Sequence, residues 1–175
     1  MDIIITGIGS LSTGSQNANA LFKSSINSSV ETQFIDIQSH KGIISVPVNS
    51  IEENLINVNG LEQFNKLDRT SKLALNAVSQ AWHNSGINSE QVETNKIGVF
   101  IGTSRGPVGK WEETYKRQMS RKRQLPSFSA SGTIAAISGS VSQYLKASGP
   151  SLTLSSTCSS GCLLYTSPSP RDRQK

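Results

Sequence analysis

The residues best suited to nucleophilic chemistry in this sequence are its two cysteines, Cys158 and Cys162. Cys158 sits in a run of small residues, Ser155-Ser156-Thr157-Cys158-Ser159-Ser160-Gly161, which follows the strand-like stretch "GPSLTLSST". A thiol attacks as the thiolate, and unsatisfied N–H groups at a helix start favour the anion, so a cysteine at a strand-to-helix turn is well placed. Small neighbours let a substrate carbonyl reach the backbone, and the Cys158 N–H can then help form an oxyanion hole. The bland alternative is a small buried hydrophobe at a strand end, and a cysteine alone does not decide between the two. A metal centre would need further His or Cys ligands nearby, and the sequence supplies none.

Such a turn needs strands and helices to hold it. "DIIITGIGS" reads as a buried strand and a tight glycine turn, and Asn17 to Ser25 as a short helix around Leu21 and Phe22. "GIISVPV" is strand-like, with Pro47 marking an edge. Residues 51–60 read as a polar surface connection. Asp68 to Ser85 carries the clearest helical pattern, with Leu73, Leu75, Ala77, Val78, Ala81 and Trp82 on a broad apolar face. Asp68 is its N-cap and Gly86 its left-handed terminator. "KIGVFIGT" is continuously apolar, which predicts a strand buried on both faces. A glycine-rich turn, "GTSRGPVG", follows, then a helix from Lys110 to Met119, a loop from Leu125 to Ser131, and a buried small-residue helix from Thr133 to Ala147. Strands alternating with helices give an α/β fold with a partly parallel sheet.

The chain has 175 residues, enough for one domain with a sizeable core. It is 17% charged and 35% hydrophobic, with a net charge of +5. The charge gathers in Lys116, Arg117, Arg121, Lys122 and Arg123, and again in Arg171, Arg173 and Lys175. Such a cluster is either a solvated helix end or a surface for an acidic partner. A nucleic-acid module would carry a recognisable motif or interleaved aromatics, and beyond Tyr115 there are none. Two cysteines make no disulfide framework, and no segment reads as a signal sequence or membrane span, so a cytoplasmic protein is expected.

Five ordered blocks carry a wider resemblance: "DIIITGIGSLSTGS", "LDRTSKLALNAVSQAWHNSGI", "KIGVFIGTSRGPVG", "ASGTIAAISGSVSQYLKASGPS" and "GPSLTLSSTCSSG". Together they resemble the N-terminal half of the beta-ketoacyl-acyl-carrier-protein synthases, of the thiolase-like superfamily, over residues 2–161. The resemblance implies a thiolase-like fold, a layered mixed sheet with helices, represented by its N-terminal half. It implies that Cys158 accepts an acyl group from an acyl carrier protein. Malonyl-carrier then loses carbon dioxide and condenses onto that thioester, in fatty acid or polyketide synthesis. Substrates ride on the phosphopantetheine arm of the carrier, and no separate cofactor is implied. The expected partners are the carrier and, in a complete enzyme, a second ketosynthase subunit as homodimer or heterodimer. Nucleic acid and membrane are not expected.

The family's two catalytic histidines, its lysine and its second glycine-rich loop come from a C-terminal half. His40 and His83 do not match them and read as surface residues. A chain of this extent is therefore expected to be inactive in condensation by itself. A non-catalytic ketosynthase-like partner subunit or scaffold that kept the cysteine without the chemistry is the rival reading; chain-length and loading relatives lack the cysteine, so Cys158 argues against that subgroup. Arg105 falls in a loop that the resemblance puts near the acyl pocket, where an unpaired buried charge is costly. It either points away or shortens the pocket.

The expected domain is 1–161, followed by a non-native tail, 162–175. "CLLYTSPSPRD" resembles translated read-through of a transposon-based sequencing-library adapter. Pro168 and Pro170 lead to the expectation that no regular helix follows the cysteine turn.

Overall fold

The computed structural model describes residues 3–27, 32–56, 64, 66–88 and 92–166. They fall into two compact units, Met1–Leu61 with Asn76–Gly86, and Glu62–Leu75 with Ile87–Lys175.

The first unit contains helix α1 (Ala18–Asn27), the antiparallel hairpin β1 (Gln33–Ser39) and β2 (Gly42–Val48), and helix α2 (Glu53–Ile56). Asn17 caps α1, its Oδ1 accepting the Ala20 N–H at 2.9 Å. The hairpin pairs Gln33 with Val48 through to Ser39 with Gly42, and among the described residues β2 has only this one partner strand, as Pro47 suggests. Strand β1 is an addition to the sequence reading, which has no element there. In the expected surface connection, α2 forms a single turn, and residues 57–60 lie outside the described set.

The opening run corrects its expectation. Residues 3–11 form no strand, and Ile3, Ile4 and Ile5 are exposed. A strand exists through its ladder, and among the described residues none pairs with this run. The segment instead follows the second half of helix α3 (Arg69–Ser85). The Ser10 N–H bonds Gln80 Oε1 at 3.2 Å, and Asn84 Nδ2 bonds the Ile8 carbonyl at 2.8 Å. Gly7 and Gly9 make no tight turn. They press on the α3 backbone, where a Cβ on either would run into the carbonyls of Ala81 and Ala77.

The second unit carries the parallel pair β3 (Val99–Thr103) and β4 (Ser151–Ser155), joined through helices α4 (Val108–Met119), α5 (Phe128–Ser131) and α6 (Ala135–Leu145). The first half of α3 belongs here. Asp68 caps it as expected, its Oδ2 accepting the Thr70 N–H at 2.8 Å. Thr70 Oγ1 in turn donates to the Gly106 carbonyl at 3.2 Å, fastening the helix start to the glycine-rich turn. Helix α4 begins two residues before the expected Lys110, and α5 is a single turn inside the expected loop. Helices α4 and α6 end alike. Lys122 N–H reaches the Arg117 carbonyl and Ala147 N–H the Ser142 carbonyl, both 2.9 Å, with Arg121 and Lys146 left-handed at φ 52°.

Helix α6 supplies the core, with Ile137, Ser138, Ser140 and Val141 buried. The Ser138 N–H bonds Thr153 Oγ1 of β4 at 3.2 Å, which ties the start of α6 to that strand. The two buried hydroxyls bond back to Ala135 and Ala136. The parallel and antiparallel pairings of the expected mixed sheet thus both occur, as separate two-stranded sheets among the described residues.

Strand β3 is not buried on both faces. Val99 is buried, but Phe100 and its partner Leu152 are 48% and 44% exposed. Side chains alternate along a strand, so Phe100 shares a face with Gly102. Helix α7 (Ser160–Thr166) covers only the Gly102 end of that face. This helix is itself a correction: a regular turn does follow the cysteine, closing before Pro168, and residues 167–175 lie outside the described set.

The asymmetry is testable. Ile137→Ala leaves a cavity where the side chain has no exposure and is expected to cost about 2–5 kcal/mol in urea unfolding. Phe100→Ala is expected to cost less. The reverse order would place the core elsewhere.

Candidate functional site

The register of the parallel pair sets the site. Thr103 pairs with Ser155, so both strands finish at the same level. The chain leaving β4 must then turn sharply to enter α7. Thr157 makes the turn at φ 47°, in the left-handed region that a β-branched residue rarely enters. Such an outlier costs about 1–3 kcal/mol and persists only where its surroundings hold it.

The holding groups are serines. Ser160 is 4% exposed, and its Oγ accepts the Ser156 N–H at 2.8 Å. The same hydroxyl lies 2.8 Å from the Thr103 carbonyl and 2.8 Å from the Thr157 carbonyl, so its one proton serves two acceptors. Ser104 Oγ donates to the Thr157 carbonyl at 3.3 Å, and Ser155 Oγ to the Ser104 carbonyl at 3.4 Å. Ser159 closes the outer side, its Oγ donating to the Ser156 carbonyl at 2.7 Å. Gly102 permits the close approach of α7 to β3. A Cβ there would stand 3.1 Å from the Ser160 carbonyl and 3.0 Å from Leu164 Cδ1.

At the tip of this turn Cys158 is exposed. It is therefore not the small buried hydrophobe of the bland reading. Among the described residues its N–H meets no hydrogen-bond acceptor, and no histidine or carboxylate is bonded to its thiol. The arrangement offers an accessible nucleophile next to an unused backbone donor, the two parts needed to attack a carbonyl and hold the resulting oxyanion.

Arg105 is exposed, immediately after Ser104, in the turn that ends at the buried Gly106 and Pro107. His40, in the β1–β2 turn, and His83, near the end of α3, are exposed and belong to the first unit, as their surface reading expects. Cys162 is exposed on α7. No group of three or more His, Cys, Asp or Glu side chains suited to a metal occurs among the described residues. In the basic cluster, Lys116 and Arg117 occupy the last turn of α4, where cations complement the helix dipole, and Arg121, Lys122 and Arg123 follow it in exposed positions. The second cluster lies outside the described residues. No described helix is long and apolar enough to cross a membrane. The serine clamp is absent from the sequence reading, which treats Ser155 to Ser160 only as small.

The site is thus an exposed cysteine at the end of a parallel strand pair, before a short helix and after a buried small-residue helix. The sequence matches the N-terminal domain of beta-ketoacyl synthase over residues 1–167. The chain belongs to that family of transferases. It is 27% identical over 167 residues to nodulation protein E of Rhizobium leguminosarum bv. trifolii, covering 91% of this chain and 40% of that protein. It is 27% identical over 165 residues to 3-oxoacyl-[acyl-carrier-protein] synthase 2 of Coxiella burnetii, covering 91% and 39%. The chain thus spans about two fifths of these relatives. Its fold matches the ketosynthase ApeO, solved in complex with its chain length factor ApeC from Xenorhabdus doucetiae. The TM-score is 0.73 at 18% identity, covering 93% of this chain and 41% of that one. The fold is the N-terminal half of a thiolase-like architecture.

The exposure of both thiols has a direct check. Both cysteines are expected to react with Ellman's reagent in native buffer, with no further thiol released on adding denaturant. A thiol that reacts only after unfolding would contradict the geometry of the turn.

Proposed function

We propose that this chain carries the acyl-accepting cysteine of a condensing enzyme. Cys158 takes an acyl group from an acyl carrier protein as a thioester. A malonyl-carrier carbanion, formed by loss of carbon dioxide, then attacks that thioester to give a 3-ketoacyl product. The observation that carries the reading is the exposed Cys158 at the left-handed turn, its N–H unused and its two flanking strands in parallel register. The resemblance assigns decarboxylation to two histidines of the family's C-terminal half, and His40 and His83 do not match them. The rival, a non-catalytic ketosynthase-like subunit, gives no role to a cysteine held in this way. The 1–161 domain with a foreign 162–175 tail also stays a proposal, alongside helix α7, which runs to Thr166. Arg105, exposed beside the Ser104 that touches the Thr157 carbonyl, is proposed to meet the substrate at the pocket mouth.

Acyl transfer is the half-reaction to test. Cys158→Ala is expected to abolish thioester formation from a radiolabelled acyl-carrier protein, whereas Cys162→Ala is expected to retain it. Equal labelling of the Cys158→Ala protein would remove the assignment.

The basic residues after α4 are proposed to dock the carrier, whose acidic surface suits them. Reversing Arg121, Lys122 and Arg123 to Glu is expected to weaken carrier binding at low salt, and the difference is expected to shrink as salt rises. An unchanged dissociation constant at low salt would leave only the helix-end role.

A further inference from the structure

The Ser160 hydroxyl has a consequence for the chemistry of its neighbour that its burial alone does not suggest. A trans peptide holds its carbonyl and its N–H on opposite sides. The Thr157 carbonyl and the Cys158 N–H belong to one such peptide, and the chain has no cis bonds among its described residues. Three donors draw that carbonyl inward: Ser160 Oγ at 2.8 Å, Ser104 Oγ at 3.3 Å and the Ser160 N–H at 3.4 Å. The Cys158 N–H is thereby turned the other way, toward the exposed side of the turn, where it has no partner among the described residues.

We propose that Ser160 is a positioning residue for acyl transfer: its buried hydroxyl fixes the Thr157–Cys158 peptide so that the Cys158 N–H is already aimed at the oxyanion. The inference rests on the acyl-acceptor reading of Cys158 and deepens it. In the transfer itself the Cys158 thiolate attacks the thioester carbonyl, and a carbon–sulfur bond forms. The carbonyl pair moves to oxygen, where the Cys158 N–H receives the charge. The pair then returns, the bond to the donor sulfur breaks, and the donor thiolate leaves to take up the proton that Cys158 gave to solvent. No oxidant or cofactor enters. Ser160 touches none of the reacting atoms. It acts through the peptide.

A donor that must find its direction during the reaction is worth less than one already aimed. The Ser160 hydroxyl also ties the turn to the end of β3 through Thr103 and to β4 through Ser156, so one side chain joins both strands to the peptide that matters. Ser104 supports the same carbonyl from a longer distance and from an exposed position, which makes it the auxiliary.

The test separates the aim of the N–H from the reactivity of the sulfur. Attack on an acyl thioester builds an oxyanion, whereas alkylation by iodoacetamide displaces iodide at a saturated carbon and builds none. Both rates are measured at Cys158 by mass spectrometry on the 175-residue chain, using a short acyl thioester of N-acetylcysteamine. Ser160→Ala is expected to slow acylation by about 10- to 100-fold while alkylation stays at the wild-type rate. Ser160→Thr, which keeps the hydroxyl, is expected to recover acylation. Parallel loss of both rates would overturn the proposal by reducing Ser160 to a structural prop, and unchanged acylation would overturn it outright. A wild-type chain that takes no acyl group would sink the acyl-acceptor reading instead. The clamp would then be read by the 13C resonance of the Thr157 carbonyl, which Ser160→Ala should move and Ser160→Thr should restore. A resonance indifferent to both would end it.

Discussion

The parallel ladder between β3 and β4 is the constraint on which the second unit depends. It fixes Thr103 beside Ser155, and with them the level at which both strands stop. The cysteine turn is built on that shared end. From β3 come the Thr103 carbonyl and the loop that presents Ser104; from β4 comes the turn that presents Cys158. A slip of one residue would reverse every side chain on the strand. It would carry Gly102 away from α7 and put a side chain where the Ser160 carbonyl needs space. A slip of β4 would also part Thr153 from the Ser138 N–H and remove a tie between β4 and α6.

The turn stores strain and contains the groups that hold it. A left-handed threonine costs about 1–3 kcal/mol. Each hydrogen bond in the serine cluster contributes about 0.5–1.5 kcal/mol net, so the contacts at Ser156, Thr157 and Ser160 are enough to offset it. Burial at Ser160 sharpens the point. An unmade bond there leaves a polar group out of water, which penalises any other arrangement of the turn. The exposed Cys158 is thus carried by a rigid base, although the thiol itself is free to meet a substrate.

What the sequence disclosed follows from which forces are local. The helix of Asp68 to Ser85 was legible because its cap, its apolar period and its terminal Gly86 are all properties of neighbouring residues, and each is observed. The cysteine turn was legible for the same reason: small residues after a strand pattern. The opening isoleucines were misread because apolar β-branched residues report a preference for strand, whereas a strand also needs a partner, and residues 3–11 have none among the described residues. "KIGVFIGT" was misread as doubly buried because an apolar run gives no measure of how far the covering helix extends. Ser160 escaped notice because its importance lies in bonds to Thr103, 57 residues away in the chain. No local pattern records a contact of that range.

If the turn at Cys158 is built to take an acyl group, that group should choose between two exposed thiols. The chain would be incubated with an acyl-carrier thioester, digested, and the acyl mass assigned by tandem mass spectrometry to Cys158 or to Cys162, four residues on. Because both sulfurs are accessible, simple exposure would label both. The acyl mass is expected on Cys158, with Cys162 unmodified. Acylation of Cys162 in preference, or of the two at similar levels, would contradict it.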